Sequence, residues 1–196
     1  MRLLIATTNP GKVREYQALL DGFDLELVGL NDVGITTEVE ESGGTYAENA
    51  ELKARAYATL SGLLTLADDS GLEVEALNGR PGLRSARYAE DSAKRIEKLL
   101  GELQGVPDEK RTARFQCSIA LAWPDGRVII VDGTCEGRIA HEPRGVNGFG
   151  YDPIFYMPEY AATMAELPED IKNRISHRAR AAQQARAILA KITRES

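Results

Sequence analysis

The chain has 196 residues, 43% hydrophobic and 28% charged, with a net charge of −6. That is ordinary soluble composition, long enough for one substantial core, and the acidic balance without a basic block argues against a phosphodiester partner, which needs clustered Lys and Arg. No run approaches the roughly 20 apolar residues of a membrane span, no apolar segment follows a basic start, and Cys117 and Cys135 lack CxxC spacing. Neither a signal peptide, a metal cluster nor a disulfide framework is therefore expected, and a reducing cytoplasm is the simplest compartment.

Residues 2–7, R-L-L-I-A-T, read as a short buried strand, and N-P-G then leads into an amphipathic helix of Val13, Tyr16, Leu19 and Leu20 ending near Gly22. The junction T-T-N-P-G-K is a place where free amides and the helix dipole favour an anion and Lys12 adds a full charge. The plain alternative is an N-cap with a surface lysine; a Walker A loop is excluded, because it needs G-x-x-x-x-G-K-[ST]. L-E-L-V-G-L at 25–30 is a second strand, followed by the acidic loop T-E-V-E-E-S-G-G at 37–44. Of Glu38, Glu40 and Glu41, one could join the oxygen shell of a hard cation such as Mg²⁺ beside water and phosphate oxygens, or the trio is simply solvated. Thr45 and Glu48 form a capping box for a helix through about Ser61. Asn49 and Lys53 share one face of it, with Lys53 either reaching a site or pairing with a neighbouring Glu.

L-L-T-L-A-D-D is an apolar strand ending in adjacent carboxylates, Asp68 and Asp69. Successive strand residues face opposite sides, so both serve one site only where the chain turns, and Ser70 and Gly71 are read as that turn. Such a pair suits divalent metal and water activation, with mutual repulsion raising one proton affinity; the alternative is a turn whose aspartates cap amides. An EF-hand is excluded because its loop's twelfth position would be Gly79 or Arg80. L-E-V-E-A-L at 72–77 alternates as a half-exposed strand, and residues 91–104 look helical.

From Arg111 to Ala140, two β patterns flank P-D-G at 124–126 and predict a hairpin that extends the sheet. E-P-R-G-V-N-G-F-G-Y-D-P at 142–153 is a long loop of the functional kind; it lacks G-x-G-x-x-G and precedes a strand, which rejects a dinucleotide loop. There Phe149 offers a flat surface and Asp152 an acceptor for stacking on a base and bonding its edge, or Phe149 is ordinary core. A strand I-F-Y-M, a short helix near 168–174 and a final helix capped by Ser176 follow. His177 and Arg178 fall in that helix's first turn, where the dipole disfavours cations, so a carboxylate or ligand is expected nearby. His141, Trp123 and both cysteines are read as packing. Strands interleaved with helices plus one hairpin predict a single α/β domain over 1–196 with a mixed sheet.

Taken jointly, T-x-N-x-x-K, E-N-A-x-x-K-A at 48–54, A-D-D-S-G-L at 67–72, S-A-R-Y at 85–88, G-F-G-Y-D-P at 148–153 and I-S-H-R at 175–178 resemble one family. It is the inosine triphosphate pyrophosphatase family, and the motifs span nearly the whole chain in family order. The resemblance implies an elongated mixed sheet with flanking helices, two lobes with a nucleotide cleft between them, a homodimer, and Mg²⁺-dependent cleavage of a small-molecule nucleoside triphosphate into monophosphate and pyrophosphate. It further implies that Thr7, Thr8, Asn9, Pro10, Gly11, Lys12 and Lys53 hold the triphosphate, and that Glu41 and Asp69 position Mg²⁺ with Asp68 as a supporting metal or water ligand. Asp69 would accept the proton and Ser70 contact substrate, while Phe149, Gly150, Tyr151, Asp152, Lys172, His177 and Arg178 would hold the base. Two other readings use the same motifs: a related pyrophosphatase acting on pyrimidine or modified nucleotides, and a catalytically silent nucleotide-binding regulator. A haloacid-type phosphatase is disfavoured, since D-x-D-x-[TV] is absent.

Overall fold

The apolar runs pair into one mixed sheet. Its strands are β1 (Arg2–Ile5), β2 (Glu26–Gly29), β3 (Leu64–Val74), β4 (Thr112–Ala122), β5 (Val128–Ile139), β6 (Phe155–Met157) and β7 (Ala162–Thr163), in the order β2-β1-β3-β4-β5-β6-β7. The structure, a computed structural model, describes residues 1–195. β1 runs parallel to β2 and to β3, with Leu3 opposite Leu64 and Ile5 opposite Leu66, whereas β5–β6 and β6–β7 are antiparallel. The helices are α1 (Pro10–Leu19), α2 (Tyr46–Ser61), α3 (Ser92–Glu102), α4 (Glu169–Ile175) and α5 (His177–Glu195). None of those described is long and apolar enough to cross a membrane.

Local signals explain most boundaries. Proline at the first position of α1 sacrifices no hydrogen bond. Both halves of the Thr45–Glu48 capping box form at α2, which closes on Gly62 at φ 68°. Gly126 turns the β4–β5 hairpin at φ 91°, its amide bonded to the Trp123 carbonyl at 3.0 Å.

β3 corrects the sequence reading. It runs unbroken from Leu64 to Val74, so Ser70 and Gly71 make no turn, and the strand expected at 72–77 is its continuation followed by a 3-10 turn at Glu75–Leu77. Sheet pairing overrides the turn preference of a Ser-Gly step. The two-residue β7 is too short to show a periodicity and has no counterpart in the expectation.

The chain divides into two compact units: Met1–Asp69 with Cys117–Gly133 and Arg178–Ser196, and Ser70–Gln116 with Thr134–His177. In the first, alternate strand residues feed two layers. Leu3, Ile5, Leu64, Leu66, Ile119 and Leu121 pack on Tyr16 and Leu19 of α1 and on the Ala181, Ala182, Ala185 and Leu189 stripe of α5. Leu4, Ala6, Ala67, Ala120 and Ala122 pack on Ala50, Ala54, Tyr57 and Ala58 of α2. In the second unit, Leu72, Val74, Ile96, Leu99, Leu103, Phe115, Ile139, Ile154 and Phe155 form the core.

Candidate active site

The two layers of the first unit decide where the β3 aspartates point. Leu64 and Leu66 face α1 and α5, so Asp68 follows them; Ala67 faces α2, and Asp69 follows it. Without a turn, the adjacent carboxylates enter two different environments.

Asp68 is enclosed by cations. Lys12 Nζ lies 3.0 Å from Oδ1 and 2.9 Å from Oδ2, and Arg178 donates to Oδ2 from Nη2 at 3.1 Å and from Nε at 3.3 Å. Arg178 Nη1 donates in turn to Glu15 Oε2 at 2.6 Å, and both partners are buried. Two cations and two anions thus form a balanced internal network. Burial alone would raise the Asp68 carboxyl, but Lys12, Arg178 and Lys53 outweigh it and hold it well below the usual carboxylate range. With 1% of its side chain exposed and both oxygens on cations, Asp68 acts as their counter-charge. Burial, reinforced by the Asp68 charge, pushes the neighbouring Cys117 thiol up to about 12 and leaves it a packing group.

The carboxylates expected near the first turn of α5 are Asp68 and Glu15. Glu15 escaped the sequence reading, although its i+3 spacing from Lys12 and the core position of Tyr16 beside it were the available signals. In the Thr7–Lys12 junction, Asn9 Oδ1 accepts from the amides of Gly11 at 2.8 Å and Lys12 at 3.3 Å, and Pro10 has no amide hydrogen. The helix start is thus satisfied by its own cap, which corrects the expectation of free amides there, and its contribution toward an anion is the Lys12 charge and the dipole. Thr8, Asn9 and Pro10 are exposed and Thr7 is half-buried.

On the α2 side, Asn49 Nδ2 donates to Asp69 Oδ2 at 2.9 Å, while Asn49 Oδ1 accepts from the Gly43 amide at 2.8 Å. The acidic loop is thereby tied to the strand, and the approach requires glycine, since a Cβ on Gly43 would lie 2.7 Å from Glu48 Cβ. Lys53 Nζ donates to Glu41 Oε1 at 2.5 Å and to the Asp68 carbonyl at 2.7 Å. Burial alone would lower the Lys53 proton affinity, but Asp68, Glu41 and Asp69 outweigh it and the net shift is upward. Asp69 is raised, first by burial and further by the Glu41 charge, with Lys53 and Asn49 opposing. One strand therefore carries a carboxylate locked in its charged form beside one tuned toward accepting a proton.

Among the described residues no group of three or more His, Cys, Asp and Glu could hold a metal ion. Magnesium is commonly bound through one or two carboxylates, with substrate phosphates and waters completing its shell. Glu41 and Asp69 fit that use, being hard oxygen donors close enough for the Glu41 charge to raise Asp69.

The second unit holds the remaining candidates. Lys172 Nζ and Asp152 Oδ2 are 2.5 Å apart and both buried; Asp152 Oδ2 also accepts from the Phe149 amide at 2.8 Å, and Lys172 Nζ lies 4.9 Å from the centre of the half-buried Phe149 ring. A Cβ on Gly148, at φ 74°, would fall 2.1 Å from Asp152 Oδ2, so the loop needs glycine at that position. Tyr151 donates to the Ser85 carbonyl at 3.0 Å, and the buried His177 ring stacks on Phe115 with centroids 4.6 Å apart. Gly150 and Ser70 are half-buried. His141, read as packing, instead pairs with Asp108 on the surface.

The class to which this fold belongs follows from solved structures. The chain superposes on a HAM1 protein from Coxiella burnetii with a TM-score of 0.88 and 43% identity, covering 97% of this chain and 99% of that one. The Staphylococcus aureus Ham1 protein gives 0.86 and 41%, with the same coverage. The sequence profile of the Ham1 family matches residues 3–188, and the chain belongs to that family, the inosine triphosphate pyrophosphatase family. Its relatives include the dITP/XTP pyrophosphatases of Bacillus cereus, 52% identical over 185 residues (92% of this chain, 90% of the relative), and Desulforamulus reducens, 50% identical over 195 residues (98% and 97%). The protein is an enzyme, a hydrolase of nucleoside triphosphate anhydride bonds.

Proposed function

We propose that this hydrolase converts the non-standard purine nucleotides ITP, dITP and XTP to the nucleoside monophosphate and pyrophosphate, using Mg²⁺, and so cleanses the nucleotide pool. The observation that carries the reading is Asp69, a carboxylate of raised proton affinity beside Asn49 and Lys53 on a strand whose preceding residue is tied to Lys12. A triphosphate repels a nucleophile, so a site that cleaves it must supply positive charge for binding and for the transition state. Lys12 and Lys53 supply that charge in the first unit. Glu41 and Asp69 would hold magnesium, whose chemistry when bound is to neutralise phosphate oxygens and acidify a water. Asp69 accepts the proton of the attacking water, for which a raised proton affinity is suited. Asn49 keeps the Asp69 carboxylate oriented.

The base is assigned to the Phe149 loop and to cationic side chains. Phe149 supplies a stacking face, Gly150 and Tyr151 continue its loop, and Asp152 accepts from ring N–H groups. Lys172 and Arg178 have donors only, matching the 6-keto oxygen of hypoxanthine and xanthine and opposing the 6-amino group of adenine. Of the two, Lys172 lies beside Phe149, whereas Arg178 bonds Asp68 and Glu15 in the first unit. A buried donor left facing a donor discriminates strongly. Cys117 and Cys135 are buried thiols, which supports a reducing cytoplasm. The homodimer is checked by light scattering in solution.

The reading is tested by assaying purified protein with Mg²⁺ across ITP, dITP, XTP, GTP, ATP and pyrimidine triphosphates, with pyrophosphate quantified. Selective release from the first three is expected. Equal rates on ATP would remove the specificity, and nucleotide binding without pyrophosphate release would mark a silent regulator.

A further inference from the structure

We propose that Lys53 couples metal binding to triphosphate binding: its ammonium stands at Glu41 in place of the metal until a triphosphate draws it away. The proposal rests on the reading above, in which Glu41 holds the cation and Lys53 the phosphates. The geometry sets these two roles in competition at rest. Lys53 Nζ sits 2.5 Å from Glu41 Oε1, so an ion approaching Glu41 meets a positive charge already in contact with it. The same ammonium is anchored by the Asp68 carbonyl at 2.7 Å, which fixes it between the strand and the acidic loop.

A triphosphate changes the balance. Its several negative charges outbid one carboxylate for the ammonium, and the flexible four-carbon stem lets the Lys53 head move without moving α2. The head has a route, since 13% of the side chain is exposed. Glu41, relieved of the Lys53 charge, then has Oε1 to offer. Metal and triphosphate therefore assist each other, and neither needs a preformed cage. Deleting the ammonium removes the competing charge at Glu41, so the nucleotide-free protein must bind metal alone more tightly.

The test is Mn²⁺ binding to nucleotide-free protein, read by electron paramagnetic resonance of the free ion, for wild type, Lys53→Met, Lys53→Gln and the double variant Lys53→Met with Glu41→Gln. Either single variant should bind Mn²⁺ about 5- to 150-fold more tightly than wild type, and the double variant should lose the gain. Equal or weaker binding in the single variants overturns the coupling, and an undiminished gain in the double variant overturns Glu41 as its site. Wild type supplies an arm that needs no variant: binding of Mn²⁺ alone at stoichiometric concentration also overturns the proposal. Pyrophosphate release by wild type, measured separately, bears on the functional reading, so the two can fail independently.

Discussion

Asp68 and Asp69 are chemically identical neighbours made unlike by one peptide unit of strand. The first is charged throughout the working range because Lys12 and Arg178 surround it; the second holds its proton more tightly because burial outweighs the help of Lys53 and Asn49. Asp69→Asn should abolish pyrophosphate release while the circular dichroism spectrum stays unchanged; near-full turnover removes Asp69 as the base. Because its proton affinity is raised, the base form is lost as pH falls through a value above the ordinary 3.8. In metal-free protein the Asp69 carboxyl, followed by carbon NMR, should accordingly titrate above that value, and titration at or below it would contradict the assignment. Arg178→Ala should cost about 3–5 kcal/mol in urea unfolding, because it strands two buried carboxylates. A loss under about 1 kcal/mol, the range of exposed pairs, would show that the Glu15–Arg178–Asp68 network is not a structural support.

The element that ties the acidic loop to β3 is α2, which presents Asn49 and Lys53 from one face while its alanines pack on the sheet. Its start is set by Thr45, whose hydroxyl accepts from the Glu48 amide at 3.1 Å, and by Glu48, whose carboxylate accepts from the Thr45 amide at 3.1 Å. Thr45→Ala should lower the stability of the fold by about 1 kcal/mol, read as a shift of the urea midpoint. A larger effect on kcat/KM than that stability loss predicts would show that the cap also fixes the register of Asn49 against Asp69. β3 makes the complementary contribution: its length across the Ser70–Gly71 step keeps the two aspartates on opposite faces.

At the scale of the whole molecule, the ion network links stability to pH with a definite sign. The folded value of Asp68 lies below 3.8, so its stabilisation is complete above 3.8 and is lost as pH falls through that lower folded value. Asp69 is raised, so its contribution is complete below 3.8 and declines as pH rises through its higher folded value. Urea unfolding of wild type and of Asp69→Asn across acidic to neutral pH separates the two: the variant should lose the Asp69 decline and retain the acid-side loss. Much of this was legible beforehand. Periodicity and caps determined the helices, the hairpin and the α/β class, because those signals are local, and spaced motifs placed Lys53, Asp69, Asp152 and Lys172 among the candidates. Only the tertiary structure decided that β3 runs straight and that Asp68 is a counter-charge. The same holds for the meeting of Glu15 with Arg178 across 163 positions of sequence. A turn preference yields to sheet pairing, and a buried charge finds its partner by packing, so neither outcome is encoded in any short stretch of the chain.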